Sequence, residues 1–162
     1  MNKTMWSILA VSVCTVVLIG CTGPKAREEF INQPSFEKQI VIIPRTLDAV
    51  VASMSKQLKA CGMSGQSQRR SMGTSVIDTK IMTIKKVSPT KAECEYRYNT
   101  SGALGEPKGR MYLYAIDFEA KDTHSTKATF YNYGDYMKDL RNALRKWAEG
   151  DVNSCHGYGI AQ

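Results

Sequence analysis

Three rhythms of apolar and polar residues divide the chain. Met5 to Ile19 is an apolar run broken only by Ser and Thr. Residues 22–38, TGPKAREEFINQPSFEK, mix both charges with Pro24 and Pro34 and sustain no period. From Gln39 onward, stretches with a period of two alternate with stretches whose period is near 3.6. This second half of the pattern predicts a folded domain.

Gln39-Ile40-Val41-Ile42-Ile43 is a β-branched run stopped by Pro44, which predicts a buried strand. Thr46 suits a helix N-cap, and Asp48 suits the first turn. Leu47, Val50, Val51, Met54, Leu58 and Cys61 then fall on one helical face, and Gly62 stands where a terminating glycine belongs. Ser64 to Ser71 is polar and reads as a loop. Thr74 to Lys86 alternates, with Ile77, Ile81, Met82 and Ile84 as apolar marks, and predicts one long strand or two short ones. Ser88-Pro89-Thr90 is a turn. Ala92, Cys94, Tyr96 and Tyr98 alternate with Glu93, Glu95, Arg97 and Asn99, the pattern of a half-buried strand. Asn99 to Gly109 holds three Gly and Pro107 and reads as a loop. Arg110 to Ala120 predicts a strand with Tyr112, Tyr114, Ile116 and Phe118 on one face and Asp117 and Glu119 on the other. Thr126 to Tyr133 predicts the last strand. Gly134-Asp135 opens a second helix whose face is Met137, Leu140, Leu144 and Trp147. Lys138, Arg141, Arg145 and Lys146 take its wet side, and Gly150 ends it. The expected order is β-α-β-β-β-β-α. That order predicts an α+β two-layer sandwich, with an antiparallel sheet of four to five strands carrying two helices on one face.

The N-terminal run ends in Leu18-Ile19-Gly20-Cys21, preceded by Lys3 as a short positive region. The apolar run is at or below the length that crosses a bilayer as a stable helix, which favours a cleaved signal. The four residues resemble the lipobox of bacterial lipoproteins. The resemblance implies that residues 1–20 are removed as a signal peptide and that Cys21 becomes the lipidated first residue. Thr22, rather than Asp, after that Cys implies sorting to the outer membrane, facing the periplasm. Several acyl chains hold a small protein on a membrane almost permanently, where one holds it only marginally. Residues 21–38 then read as the lipidated Cys and a tether, 39–151 as the α+β domain, and 152–162 as a C-terminal tail. A tether of that length reaches about 50 Å when extended. Phe30, Ile31 and Phe36 are unusual in a spacer and suggest docking on the domain or a partner. The element order resembles the helix-grip-like domains of outer-membrane assembly lipoproteins. That likeness covers order alone, and it implies no residue roles.

With 162 residues, 43% hydrophobic and 23% charged, the chain is neither disordered nor a low-complexity fibre. It carries 22 basic against 15 acidic residues, and Lys3 is the only charged residue ahead of Cys21. A basic balance often points to nucleic acid. Here the expected compartment argues against it. The basic residues are also dispersed, with no stacking aromatics between them. A solvated surface, or contact with anionic headgroups, accounts for them better.

Candidate chemistry is sparse. A phosphate-binding glycine loop, HExxH and CxxC are all lacking. His124 and His156 sit in expected loops. Cys155 and His156 are adjacent, and adjacent residues rarely present a thiol and its base productively. Glu93, Glu95, Asp117 and Glu119 face away from the aromatic side and are expected to be solvated. We expect no catalytic residue, no metal site and no cofactor beyond covalent lipid. Tyr96, Tyr98, Tyr112, Tyr114 and Tyr131 fall on neighbouring strands; they form either a packed sheet face or an aromatic face for a ligand or partner. With Cys14 lost and Cys21 acylated, Cys61, Cys94 and Cys155 remain for an oxidising compartment. Cys61 with Cys155 is the favoured disulfide, since both follow helix ends, while pairings through Cys94 stay open. Two functions follow as expectations. The first is a non-enzymatic interaction or accessory module of an envelope assembly or secretion system, anchored in the outer membrane. The second is a binder of a lipid, glycan or peptide on the tyrosine face.

Overall fold

The computed structural model describes residues 24, 26–71, 73–102, 109–132, 137–151 and 155. Leu18 to Cys21, read above as resembling a lipobox, and the expected cleavage site lie outside these residues. The described elements are α1 (Arg27–Ile31), β1 (Glu37–Ile43), α2 (Leu47–Ala60), β2 (Gly65–Ser71), β3 (Thr74–Ser88), β4 (Lys91–Thr100), β5 (Gly109–Ala120), β6 (Thr126–Asn132) and α3 (Lys138–Glu149). The fold is α+β. Its six strands form one antiparallel sheet in the order β1-β6-β5-β4-β3-β2. Strands β2 to β6 run as a meander, and the last strand returns to pair with the first.

The helices form where local chemistry starts and stops them. Thr46 Oγ1 accepts a hydrogen bond from Ala49 N at 3.2 Å, which caps α2. Helix α3 ends at Gly150, whose φ of +102° suits glycine, and Asp151 N reaches back to Lys146 O at 2.9 Å. A Cβ at Gly150 would meet Arg45 Nη1 at 2.8 Å, so this glycine also permits a close approach. Arg45 Nη1 in turn donates to Ala148 O at 3.1 Å and ties the end of β1 to α3.

Helices α2 and α3 lie together on one face of the sheet. Val50, Met54, Leu140, Leu144 and Trp147 meet Ile43, Tyr114, Ile116, Phe118 and Phe130 in a single buried cluster. Ser53 Oγ donates to Trp147 O at 2.6 Å inside the helix pair. This buried bond fixes how the two helices sit against each other.

Three features depart from the sequence reading, and a fourth settles an alternative it left open. The sheet has a sixth strand, because Gly65–Ser71 is β2 rather than a loop. Its seven residues pair in register with β3, from Gly65 opposite Lys80 to Ser71 opposite Thr74. Ser64 Oγ exchanges hydrogen bonds with the backbone of Met82 at 3.1 and 3.2 Å and starts that pairing. Polar residues form a strand here because an edge strand needs a partner ladder more than an apolar face. Residues 74–88 are one strand, with an irregularity between Lys86 and Ser88. The segment expected as a spacer contributes α1 and the start of β1. Phe30 and Phe36 pack with ring centres 4.4 Å apart and planes tilted by 51°, and are buried with Tyr112, Ala115 and Tyr131 on the sheet face opposite α2 and α3. The folded body therefore begins ahead of Gln39. Finally, β5 carries a bulge: Tyr96 pairs with Tyr114 and Arg97 with Tyr112, so Leu113 is the extra residue.

Candidate functional site

The bulge at Leu113 decides what the tyrosines do. A regular strand places Tyr112 and Tyr114 on one face. The extra residue sends Tyr114 to the helix-covered core and Tyr112 to the α1 side. Tyr96 packs against the first cluster and Tyr131 belongs to the second, while Tyr98 is half-buried. The five residues expected to share a face are divided between the two sides of the sheet, and a common aromatic surface is not formed. Burial raises the Tyr114 phenol well above its ordinary value. An open cleft of about 430 Å³ lies between the end of α2 and β3; among the described residues it is lined by Leu58, Lys59, Met82, Ile84 and their neighbours, with no tyrosine.

The densest chemistry lies beneath α1. Strand register places Glu93 directly opposite Asp117. Like charges facing each other across a ladder are destabilising. Arg27, projecting from α1 and only 8% exposed, resolves that conflict. Its Nη2 donates to Asp117 Oδ1, and its Nε lies 3.6 Å from Glu95 Oε1 and 3.8 Å from Glu93 Oε2. Tyr131 Oη donates to Asp117 Oδ2 at 2.9 Å. Loss of water and this bond to the Asp117 carboxylate push the Tyr131 phenol up to about 12. Arg97 Nε approaches the other oxygen of Glu95 at 3.7 Å, and Lys85 Nζ approaches Glu93 Oε2, the oxygen that also faces Arg27, at 3.9 Å. Glu119, one step along, bridges Lys127 at 2.8 Å and Lys91 at 3.3 Å, and both cations hold its carboxyl below the usual range.

The four carboxylates read as solvated are thus tied into ion pairs, and Glu95 is 8% exposed. Sequence reasoning missed this because the partner, Arg27, stands 66 positions before Glu93 in a segment without periodicity. The signal available was the trio Phe30, Ile31 and Phe36, which marked the segment as more than a spacer. Chemically, the arrangement is a clasp. Its carboxylates are already committed to guanidinium, ammonium and phenol groups, and it suits holding α1 better than acting on a bond.

Other candidate groups fall elsewhere. Cys61 and Cys155 form a disulfide with Cα atoms 5.2 Å apart, the favoured pairing. Cys94 is a buried thiol, and burial pushes it up to about 12, so it stays protonated and unreactive at neutral pH. His124 lies in the β5–β6 turn, where its backbone N–H donates to Asp122 Oδ1 at 2.8 Å, with an exposed side chain. His156 lies outside the described residues. Among the described residues, no group of three or more His, Cys, Asp and Glu is arranged to hold a metal ion. No described helix is long and apolar enough to cross a membrane. Compared with known protein families, characterised proteins and solved structures, the chain has no significant match to any.

Proposed function

We propose that this chain is a lipoprotein anchored through Cys21 in the outer membrane, where its domain serves as a non-enzymatic interaction module of an envelope assembly or secretion system. The observation that carries the reading is the Arg27 clasp. It fastens the first described helix to the sheet immediately after the lipobox. Only residues 22–26 separate Cys21 from α1. Six Cα steps span at most about 20 Å. The domain is then held close to the headgroups, with α1 as the joint that passes force and orientation from anchor to sheet. A disulfide between Cys61 and Cys155 supports an oxidising compartment. The commitment of Glu93, Glu95, Asp117 and Glu119 to ion pairs, and the protonated state of Cys94, support a role other than catalysis. The division of the five tyrosines between two sheet faces favours this reading over the tyrosine-face alternative.

Mass spectrometry of the mature protein tests the anchor. An acylated N-terminal Cys21 is expected, and Cys21→Ser is expected to leave the membrane fraction. A Cys21→Ser chain that is processed and fractionated normally overturns the reading. Cross-linking in intact cells followed by affinity capture tests the module. Recovery of the wild-type lipoprotein with no other envelope protein overturns that part.

A further inference from the structure

The two edges of the sheet are built differently. One edge is β2, whose sequence GQSQRRS has no apolar residue. That is how exposed edges are ordinarily kept from pairing. The other edge is β1, EKQIVII, a β-branched run of the kind that pairs readily. Ile40 is 61% exposed and Ile42 45% exposed, both on the sheet face that carries α1. Lys38, the natural guard of such an edge, is drawn back over the sheet, with Nζ 5.5 Å from the centre of the Tyr131 ring.

We propose that β1 is an interface, and that its occupant is the β1 strand of a second copy of this chain. The register argues for the copy. Antiparallel self-pairing centred on Val41 sets Ile40 of each copy opposite Ile42 of the other, and Gln39 opposite Ile43. It joins the four exposed isoleucines into one patch and brings Glu37 of each copy toward Arg45 of the other. Centring on Ile40 instead sets Lys38 on Ile42 and Glu37 on Ile43, charge against apolar surface. Centring on Ile42 keeps Ile42 on Ile42 and Val41 on Ile43 but sets Ile40 on Pro44 and Glu37 on Leu47, whereas the Val41 register places only Lys38 opposite Pro44. One register alone matches apolar with apolar and acid with base, and the match of hydrophobic pattern sets register in sheets. The two-fold axis of such a pair stands perpendicular to the sheet, so both copies present α1 on the same side. Two anchors leaving from that side enter one membrane. The interface itself needs no anchor and stands apart from the reading of Cys21.

Full-length protein in detergent, weighed by light scattering, tests the pairing. For wild type and for Cys21→Ser alike, a particle is expected with twice the protein mass that denaturing mass spectrometry gives for one chain of the same sample. Ile40→Lys with Ile42→Lys is expected to give single chains with an unchanged circular dichroism spectrum, since both side chains are exposed. Ile40→Glu with Ile42→Glu is expected to do the same. Mixing the lysine and glutamate variants is expected to restore pairing, because opposite charges then face each other. A wild-type monomer at tens of micromolar, or a lysine variant that remains dimeric, overturns the proposal. So does a photo-cross-linker at position 41 that captures a different protein in cells and no second copy.

Discussion

Arg27 shows how much one side chain can hold. It sits among Glu93, Glu95 and Asp117 with almost no contact with water. Removing one member of a buried charge cluster leaves the others unpaired, which ordinarily costs about 3–5 kcal/mol. We expect Arg27→Met to lose roughly that much in urea unfolding and to release α1. Hydrogen exchange at Phe30 and Tyr112 checks the release, and unchanged protection there refutes the clasp. Tyr131 adds a pH signature. Its phenol titrates at 10.0 when free and at about 12 in the fold. A raised folded value means that the neutral form stabilises the fold. That contribution is complete below pH 10 and vanishes as pH rises to about 12. Below pH 10, Tyr131→Phe is expected to cost about 1 kcal/mol through the lost bond to Asp117. The gap in melting temperature between wild type and Tyr131→Phe is therefore expected to shrink from pH 10 to 12. A gap that widens contradicts this sign.

At the scale of elements, α1 and β2 teach the same thing from opposite sides. Helix α1 has five residues, too few to be stable alone in water. It exists because Phe30 and Arg27 find partners on the sheet. A chain starting near Gln39 loses both, exposing Tyr112 and Ala115 and leaving Glu93 opposite Asp117 without the guanidinium that bridges them. We expect such a chain to melt well below one that begins at Gly23, by calorimetry. Equal melting temperatures mean that α1 is incidental to the fold. Strand β2 is the counterpart: its polar sequence has no reason to extend except the open side of β3.

For the whole molecule, the Cys61–Cys155 bridge closes a loop of 94 residues and pins the segment after α3 to the end of α2. Cross-linking a loop of this size stabilises by about 2–4 kcal/mol through the unfolded chain. Replacing both Cys61 and Cys155 with Ser is expected to lower the melting temperature by on the order of 10 °C. An unchanged melting temperature, or a wild type indifferent to reductant, counts against the bridge. The bridge also joins the two helices through the chain, complementing the Ser53 bond between them.

Sequence and tertiary structure divided the work along a physical line. Periodicity alone determined α2, α3 and strands β4 to β6, because each buries a continuous stripe whose spacing is written locally. Thr46 and Gly150 marked helix ends for the same local reason, and two helix termini favoured Cys61 with Cys155, while only the fold excluded Cys94 by burying it. The tertiary structure decided what depends on register and on distant partners. The β5 bulge at Leu113 separated Tyr112 from Tyr114, which alternation had joined. Pairing across β4 and β5 set Glu93 against Asp117 and created the need that Arg27 meets. An open edge on β3 drew seven polar residues into β2. These outcomes rest on contacts between residues far apart in the chain, and a period of two or 3.6 carries no record of which strand will lie alongside.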